Sequence, residues 1–165
     1  LQSTQVQIDA QEREKREKEH LELLMDRIEQ ELTENKERVE ELFYVLTIVK
    51  SSRKDIWEWA ITIVRSFSFR ASDELVHSRL QKQLPQTIEE SLYLSYKALS
   101  DLMNSVEQAI KAHDFYIGYR CDTEQTSQKL IKIQSINRDV LMQLEKTISR
   151  LKDNDSKESE KAVNN

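Results

Sequence analysis

The fold of this chain is decided by residues 20–69, which read HLELLMDRIEQELTENKERVEELFYVLTIVKSSRKDIWEWAITIVRSFSF. In the first part of this stretch, apolar residues recur at steps of three and four. Residues at these steps share one face of an α-helix, so the pattern predicts a long amphipathic helix. The stripe consists of Leu21, Leu24, Ile28, Leu32, Asn35, Val39, Leu42, Leu46 and Val49.

Asn35 is the polar member of this stripe. The steps approximate the heptad repeat of a coiled coil, in which one polar residue on the seam can fix the register or the number of strands. In the alternative interpretation, Asn35 lies at the edge of the stripe and faces water.

A stripe of this length needs a partner helix, either later in the same chain or in a second chain. Because the stripe is longer than neighbouring helices can comfortably cover, we expect self-association, as a homodimer, or docking of a protein partner. The residues expected at this interface are Leu24, Ile28, Leu32, Asn35, Val39, Leu42 and Leu46.

Residues 56–69 form the most aromatic segment of the chain and are apolar on more than half of the helical circumference. We expect this segment to be the best buried, with Trp57, Trp59, Ile63 and Phe67 as core anchors. Basic residues surround it, and they favour an alternative in which this surface contacts a membrane. The possible membrane-contact residues are Lys50, Arg53, Lys54, Arg65 and Arg70.

Capping residues and the single proline predict where the later helices begin. Ser72, followed by two acidic residues, predicts a helix over residues 73–84. Pro85 predicts a break, because the residue before a proline is steered away from helical backbone angles. Thr87 and Glu90 have the spacing of a capping box and predict that the next helix restarts there.

Gly118, the only glycine, predicts the end of that helix, and a turn over residues 118–122 precedes the last one. Both helices carry an apolar seam at helical spacing. The first seam consists of Leu92, Tyr96, Leu99, Met103, Val106 and Ile110, and the second of Leu130, Ile133, Ile136, Val140, Leu144, Ile148 and Leu151.

The composition predicts the fold class. One Gly and one Pro in 165 residues exclude a turn-rich β architecture, and 38% hydrophobic against 33% charged residues is typical of long helices with narrow seams. We therefore predict an all-α protein: an elongated antiparallel helical bundle or coiled coil of three long, kinked helical arms. Breaks are expected near residues 51–54, 70–72, 85 and 118–122.

The distribution of apolar residues divides the chain into three parts. Residues 1–20 are predicted to be a charged helical lead-in, residues 21–152 the bundle, and residues 153–165 a disordered tail. Leu rather than Met at position 1 suggests a fragment of a larger protein. Acidic and basic residues alternate in the lead-in, which argues against binding of nucleic acid.

The search for catalytic and metal-binding patterns finds only weak ones. Glu17 precedes His20 by three residues and Glu74 precedes His77 by three, as in some di-iron bundles, but charged residues are dense at both places. The single cysteine, Cys121, cannot form an intrachain disulfide or a cysteine-based zinc site. We therefore predict no catalytic, cofactor-binding or metal-binding residues, no cofactor, and no enzymatic activity.

Two functional hypotheses follow. The first is a cytoplasmic helical interaction and dimerisation module, acting as a coiled-coil scaffold or adaptor. No run approaches the roughly 20 apolar residues that span a bilayer, and no signal segment opens the chain. The second is a membrane-surface module that resembles a BAR domain in having three long helices with a proline in the middle one.

The membrane hypothesis depends on charge. The net charge is −5, yet residues 50–84 and 120–152 each hold seven Lys/Arg against four Asp/Glu. Binding to an anionic membrane requires the basic faces of these two segments to converge on one surface.

Overall fold

The computed structural model describes residues 2–48, 54–117 and 123–164 and shows an all-α protein, as the composition predicted. These residues form five α-helices and one short 3₁₀ helix, with no β-strand among them. The elements are α1 (Gln2–Ile48), α2 (Lys54–Arg65), α3 (Arg70–Ser78), the 3₁₀ helix (Leu80–Gln83), α4 (Gln86–Ile117) and α5 (Thr123–Asn164).

The chain runs up and down in four legs. The three long helices α1, α4 and α5 each form one leg, and α2, α3 and the 3₁₀ helix follow one another as the second leg. α1 packs against the second leg and α5, while α4 packs against α2 and α5. The second leg and α5 therefore lie diagonally opposite each other.

Side-chain contacts show that neighbouring legs are antiparallel. Gln134 Nε2 of α5 donates to the carbonyl oxygen of Leu46, near the end of α1, at 3.0 Å. Further along α5, Glu145 Oε1 lies 3.8 Å from the Nζ of Lys36, which comes earlier in α1. The second leg runs past α1 in the same reversed sense.

The core is built from the apolar stripes of the three long helices and from the inward face of the second leg. All seven α1 residues predicted at the interface are fully buried, and the seams of α4 and α5 face them. Burial of a leucine or isoleucine side chain contributes about 1.5–3 kcal/mol, so these stripes hold the fold together. Residues 49–53 and 118–122, where two of the breaks were predicted, lie outside the described residues.

The second leg bends over residues 66–69, and α3 begins earlier than predicted. Ser72 lies inside α3 and is not its cap, and Phe69 precedes the helix without a capping side-chain hydrogen bond. The cap comes from another leg, since the carboxylate of Glu31 in α1 accepts a hydrogen bond from the backbone N–H of Ala71 at 3.0 Å. A local capping pattern cannot reveal such a distant acceptor.

α3 also ends earlier than predicted, at Ser78 instead of residue 84. Arg79 has φ 59°, a left-handed conformation that usually falls to glycine, and it separates α3 from the 3₁₀ helix. The break at Pro85 is present. However, α4 begins at Gln86, before the predicted capping box, and the Pro85 carbonyl oxygen accepts hydrogen bonds from the backbone N–H groups of Ile88 and Glu89.

Two further predictions differ from the structure. Trp57 is buried with Ile63 and Phe67, whereas Trp59 is 53% exposed, because residues 57, 60, 63, 64 and 67 form the inward face of the second leg. Residues 153–164 continue α5 as a helix where a disordered tail was predicted. They contain no proline or glycine to end the helix.

Candidate functional site

The predicted interface stripe lies in the core of the helical bundle. Leu24, Ile28, Leu32, Asn35, Val39, Leu42 and Leu46 are each 0% exposed. The covering helices are α2, α3 and α5 of the same chain. A second chain can contact this stripe only where those helices separate, and self-association through it stays a prediction.

Asn35 is 0% exposed, so the interpretation in which it faces water is wrong. Its side-chain Nδ2 donates to the Ser68 carbonyl oxygen at 2.9 Å, and its Oδ1 accepts from the Ser68 backbone N–H at 2.9 Å. The bend in the second leg leaves these two backbone groups without helical partners. The buried amide therefore holds the bend against α1.

Glu31 lies one turn before Asn35. Among the described residues it is the one acidic side chain that is buried, with 7% of its surface exposed. Its Oε2 accepts from the Ser68 hydroxyl at 2.7 Å and from the Ala71 amide at 3.0 Å. Its Oε1 accepts from the Tyr96 hydroxyl of α4 at 2.7 Å. One carboxylate thus joins three legs.

Tyr96 completes this cluster. Burial, followed by the nearby negative charge of Glu31, raises the pKa of the Tyr96 phenol far above its usual range. The ring also lies 6.0 Å from the ring of Phe69, with the two planes tilted. Both oxygens of Glu31 and the Tyr96 hydroxyl are used for internal hydrogen bonds, so the cluster is suited to fixing the bend and not to proton transfer with a substrate.

Sequence reasoning missed Glu31, although a signal was present. Positions 24, 28, 31 and 35 follow steps of four, three and four, which places residue 31 on the buried face. An acid on such a face needs donors within the core, because an unpaired buried charge is strongly unfavourable.

A second polar cluster joins α4 to α5. The Ser95 hydroxyl donates to Thr147 Oγ1 at 2.7 Å, and Thr147 in turn hydrogen-bonds to the Ser91 carbonyl oxygen at 3.2 Å. All three residues are buried. Small hydroxyl-bearing side chains at these positions allow close approach of the helices and fix their register.

His20 contacts Glu74 of the second leg, which does not have the Glu-x-x-His spacing noted in the sequence. His20 Nε2 lies 3.4 Å from Glu74 Oε1, and Arg27 binds both oxygens of the same carboxylate. Hydrogen bonds from Arg27 and then His20 lower the pKa of Glu74. Among the described residues, no three His, Cys, Asp or Glu side chains cluster as metal ligands would. Cys121 lies outside the described residues, as does the side chain of His113.

Of the five predicted membrane-contact residues, the structure describes the side chains of two. Arg65 and Arg70 are exposed, and Arg65 lies 3.8 Å from Glu107 of α4. Lys50 and Arg53 lie outside the described residues, and Lys54 begins α2, although the position of its side chain is not described. In the part of the chain that the structure describes, the basic segments 50–84 and 120–152 belong to diagonally opposite legs. Of the helices in the described ranges, none is long and apolar enough to cross a membrane.

An open groove lies where the second leg meets α4. We call it the Pro85 groove, a groove of about 620 Å³ between α1 and α5. Leu21 and Met25 of α1, Leu84 and Leu151 supply apolar surface. The charged lining residues are five acids, Glu22, Asp26, Glu29, Asp155 and Glu158, and one base, Lys18; the other lining residues are uncharged.

Two of these carboxylates repel each other across the groove. Partial burial raises the pKa of Glu29, and the neighbouring charge and hydrogen bond of Asp155 raise it further. Lys152 offsets part of this effect. The groove is therefore a place where negative charge is held at a cost in free energy.

Comparisons with protein-family models, curated proteins and solved structures find no match for this chain.

Proposed function

We propose that this chain is a non-enzymatic helical interaction module, part of a scaffold or adaptor, that binds a protein partner at the end of the bundle marked by Pro85. The observation that carries the proposal is that two of the four legs run past this end. Glu17 of α1 hydrogen-bonds to Gln83, the last residue of the second leg, and the preceding residues of α1 extend beyond it.

The projecting parts are open to contact. Every residue from 3 to 20 in α1 is exposed, as is every residue from 155 to 164 in α5. Residues 2–16 alone extend for about 22 Å at 1.5 Å per residue. Projecting helices beside a groove are a common way to bind another helix or an extended segment.

Internal use of the other polar clusters supports the same proposal. Glu31, Asn35 and Tyr96 bind one another or the bend, and Ser95 and Thr147 join two legs. These groups stabilise the body of the bundle. They do not line the Pro85 groove, which stays open to a partner.

Site-specific photo-crosslinking in cells tests the proposal. A photoreactive residue placed at Ser159, which lines the Pro85 groove, should give a discrete adduct with another protein. Ser135 is the matched control, because it is an exposed serine on the same helix, outside the groove. Equal adducts from both positions, adducts from neither, or an adduct of two copies of this chain would contradict the proposal.

A further inference from the structure

We infer that the Pro85 groove binds a basic amphipathic helix of the partner, with lysine or arginine on one face and apolar residues on the other. This inference rests on the proposed function and specifies the chemistry of the partner. It depends on the shape of the groove, on its apolar floor and on its charge.

The shape of the groove follows from where α4 begins. α4 starts at Gln86, and beside this start the groove lies between α1 and α5, with Gln83, Leu84 and Pro85 in its lining. It follows α1 from Lys18 to Glu29, eleven residues apart, which is about 17 Å or three helical turns. A partner helix laid along this groove would contact both α1 and α5.

The floor of the groove is apolar. Leu21, Met25 and Leu84 are each only partly buried, and Leu151 is the last fully buried residue of the α5 seam. Apolar side chains spaced at three or four positions on a partner helix would remove this surface from water.

The negative charge of the groove favours basic residues on the polar face of the partner helix. The α5 seam continues past Leu151 at helical spacing, but there it carries Asp155 and Glu158 in place of leucine and isoleucine. With Glu22, Asp26 and Glu29 of α1, five carboxylates line the groove against one lysine. Cationic side chains would relieve this repulsion, whereas an acidic or purely apolar helix would add to it or leave it in place.

A defined peptide tests the inference. The probe is a synthetic helix of about four turns, ~14 residues, with leucine on one face and lysine on the other. Its binding to the full chain is measured by fluorescence anisotropy at low and at high salt. A peptide with glutamate in place of every lysine is the control ligand.

The groove is tested with the double variant Asp155→Asn, Glu158→Gln, which removes two charges without changing side-chain size. Its matched control is Glu41→Gln, Asp139→Asn. These substitutions also remove two exposed charges from the helices that form the groove, α1 and α5, but at positions outside it. The lysine peptide should bind, more weakly as salt rises, and the groove variant should lose about tenfold or more in affinity. The control variant should bind as the unchanged chain does.

Equal binding of the lysine and glutamate peptides, or equal losses in the two variants, would overturn the inference. These outcomes are distinct from failure of the proposed function. If Ser159 gives a partner adduct but the lysine peptide shows no preference for the groove, the partner class is wrong and the interaction role stands. If Ser159 gives no adduct, the proposed function itself fails.

Discussion

Replacing Asn35 by leucine distinguishes the internal role of this residue from a role at a coiled-coil seam. In the structure, the substitution removes two hydrogen bonds to the backbone of Ser68 and leaves its N–H and carbonyl groups without their partner. Each orphaned group costs about 1–3 kcal/mol when buried. Ser68 is half-buried, so we take the lower part of that range and expect a loss of about 2–4 kcal/mol.

The opposite sign is expected if Asn35 faces another chain across a seam. A polar residue at such a position lowers stability in return for register, so leucine would stabilise the assembly. The measurement is urea unfolding followed by far-UV circular dichroism, with the free energy of unfolding extrapolated to water. Asn104→Leu is the matched control, because Asn104 is exposed on α4 and should change stability by less than about 0.5 kcal/mol. A neutral or stabilising Asn35→Leu would refute the role assigned to this amide.

Three further predictions concern the cluster, the groove and the tryptophans. Tyr96→Phe should lower the free energy of unfolding by about 1–3 kcal/mol, because Glu31 loses a buried donor. The pKa of Tyr96 is raised in the folded state, so this difference in stability is present at neutral pH and shrinks as the pH rises through about 10. Chemical denaturation at several pH values measures it. Glu29→Gln should raise the melting temperature at neutral pH, because the folded state disfavours the Glu29 carboxylate, and the gain should vanish as acid protonates that group in the unchanged chain; an equal gain at acid pH would contradict this reasoning. Trp57→Ala should cost about 3–5 kcal/mol and Trp59→Ala less than about 1 kcal/mol, since only the first is buried, and similar losses in thermal unfolding would contradict the assigned face of α2.

Periodicity alone was sufficient to predict the three long helices and their buried faces. Most of the predicted α1 stripe, of the α4 seam around Leu99 and of the α5 seam around Leu144 is in the core, and Leu21, Met103, Ile110, Leu130 and Ile136 are partly buried against it. In these segments the same apolar residues determine both the helix and the face that it buries, so the local pattern is enough to predict both.

The errors arise where a distant residue decides the local structure. The start of α3 depends on Glu31, forty positions away from Ala71, and its end depends on Arg79 in a conformation that the sequence does not mark with glycine. Trp59 was placed in the core because an apolar segment does not reveal which of its faces meets a neighbour.

The candidate site shows the same limit. The α1 stripe indicated that a partner helix was needed but not which chain would supply it, and the structure supplies it from within. The Pro85 groove was missed because Asp155 and Glu158 belong to a polar segment that was interpreted as a disordered tail. That segment forms one wall of the groove only because α1 lies beside it and forms the other wall.

The central claim is that α1 is covered by helices of its own chain, and a zero-length crosslink between Lys36 and Glu145 tests it most directly. Their side chains are 3.8 Å apart, within reach of carbodiimide coupling. Chains labelled with heavy nitrogen are mixed with unlabelled chains, unfolded and refolded together, coupled and digested. We predict a Lys36–Glu145 crosslinked peptide that is either fully labelled or fully unlabelled. Crosslinked peptides with one labelled and one unlabelled half would show that α1 pairs with another chain, and they would contradict the account.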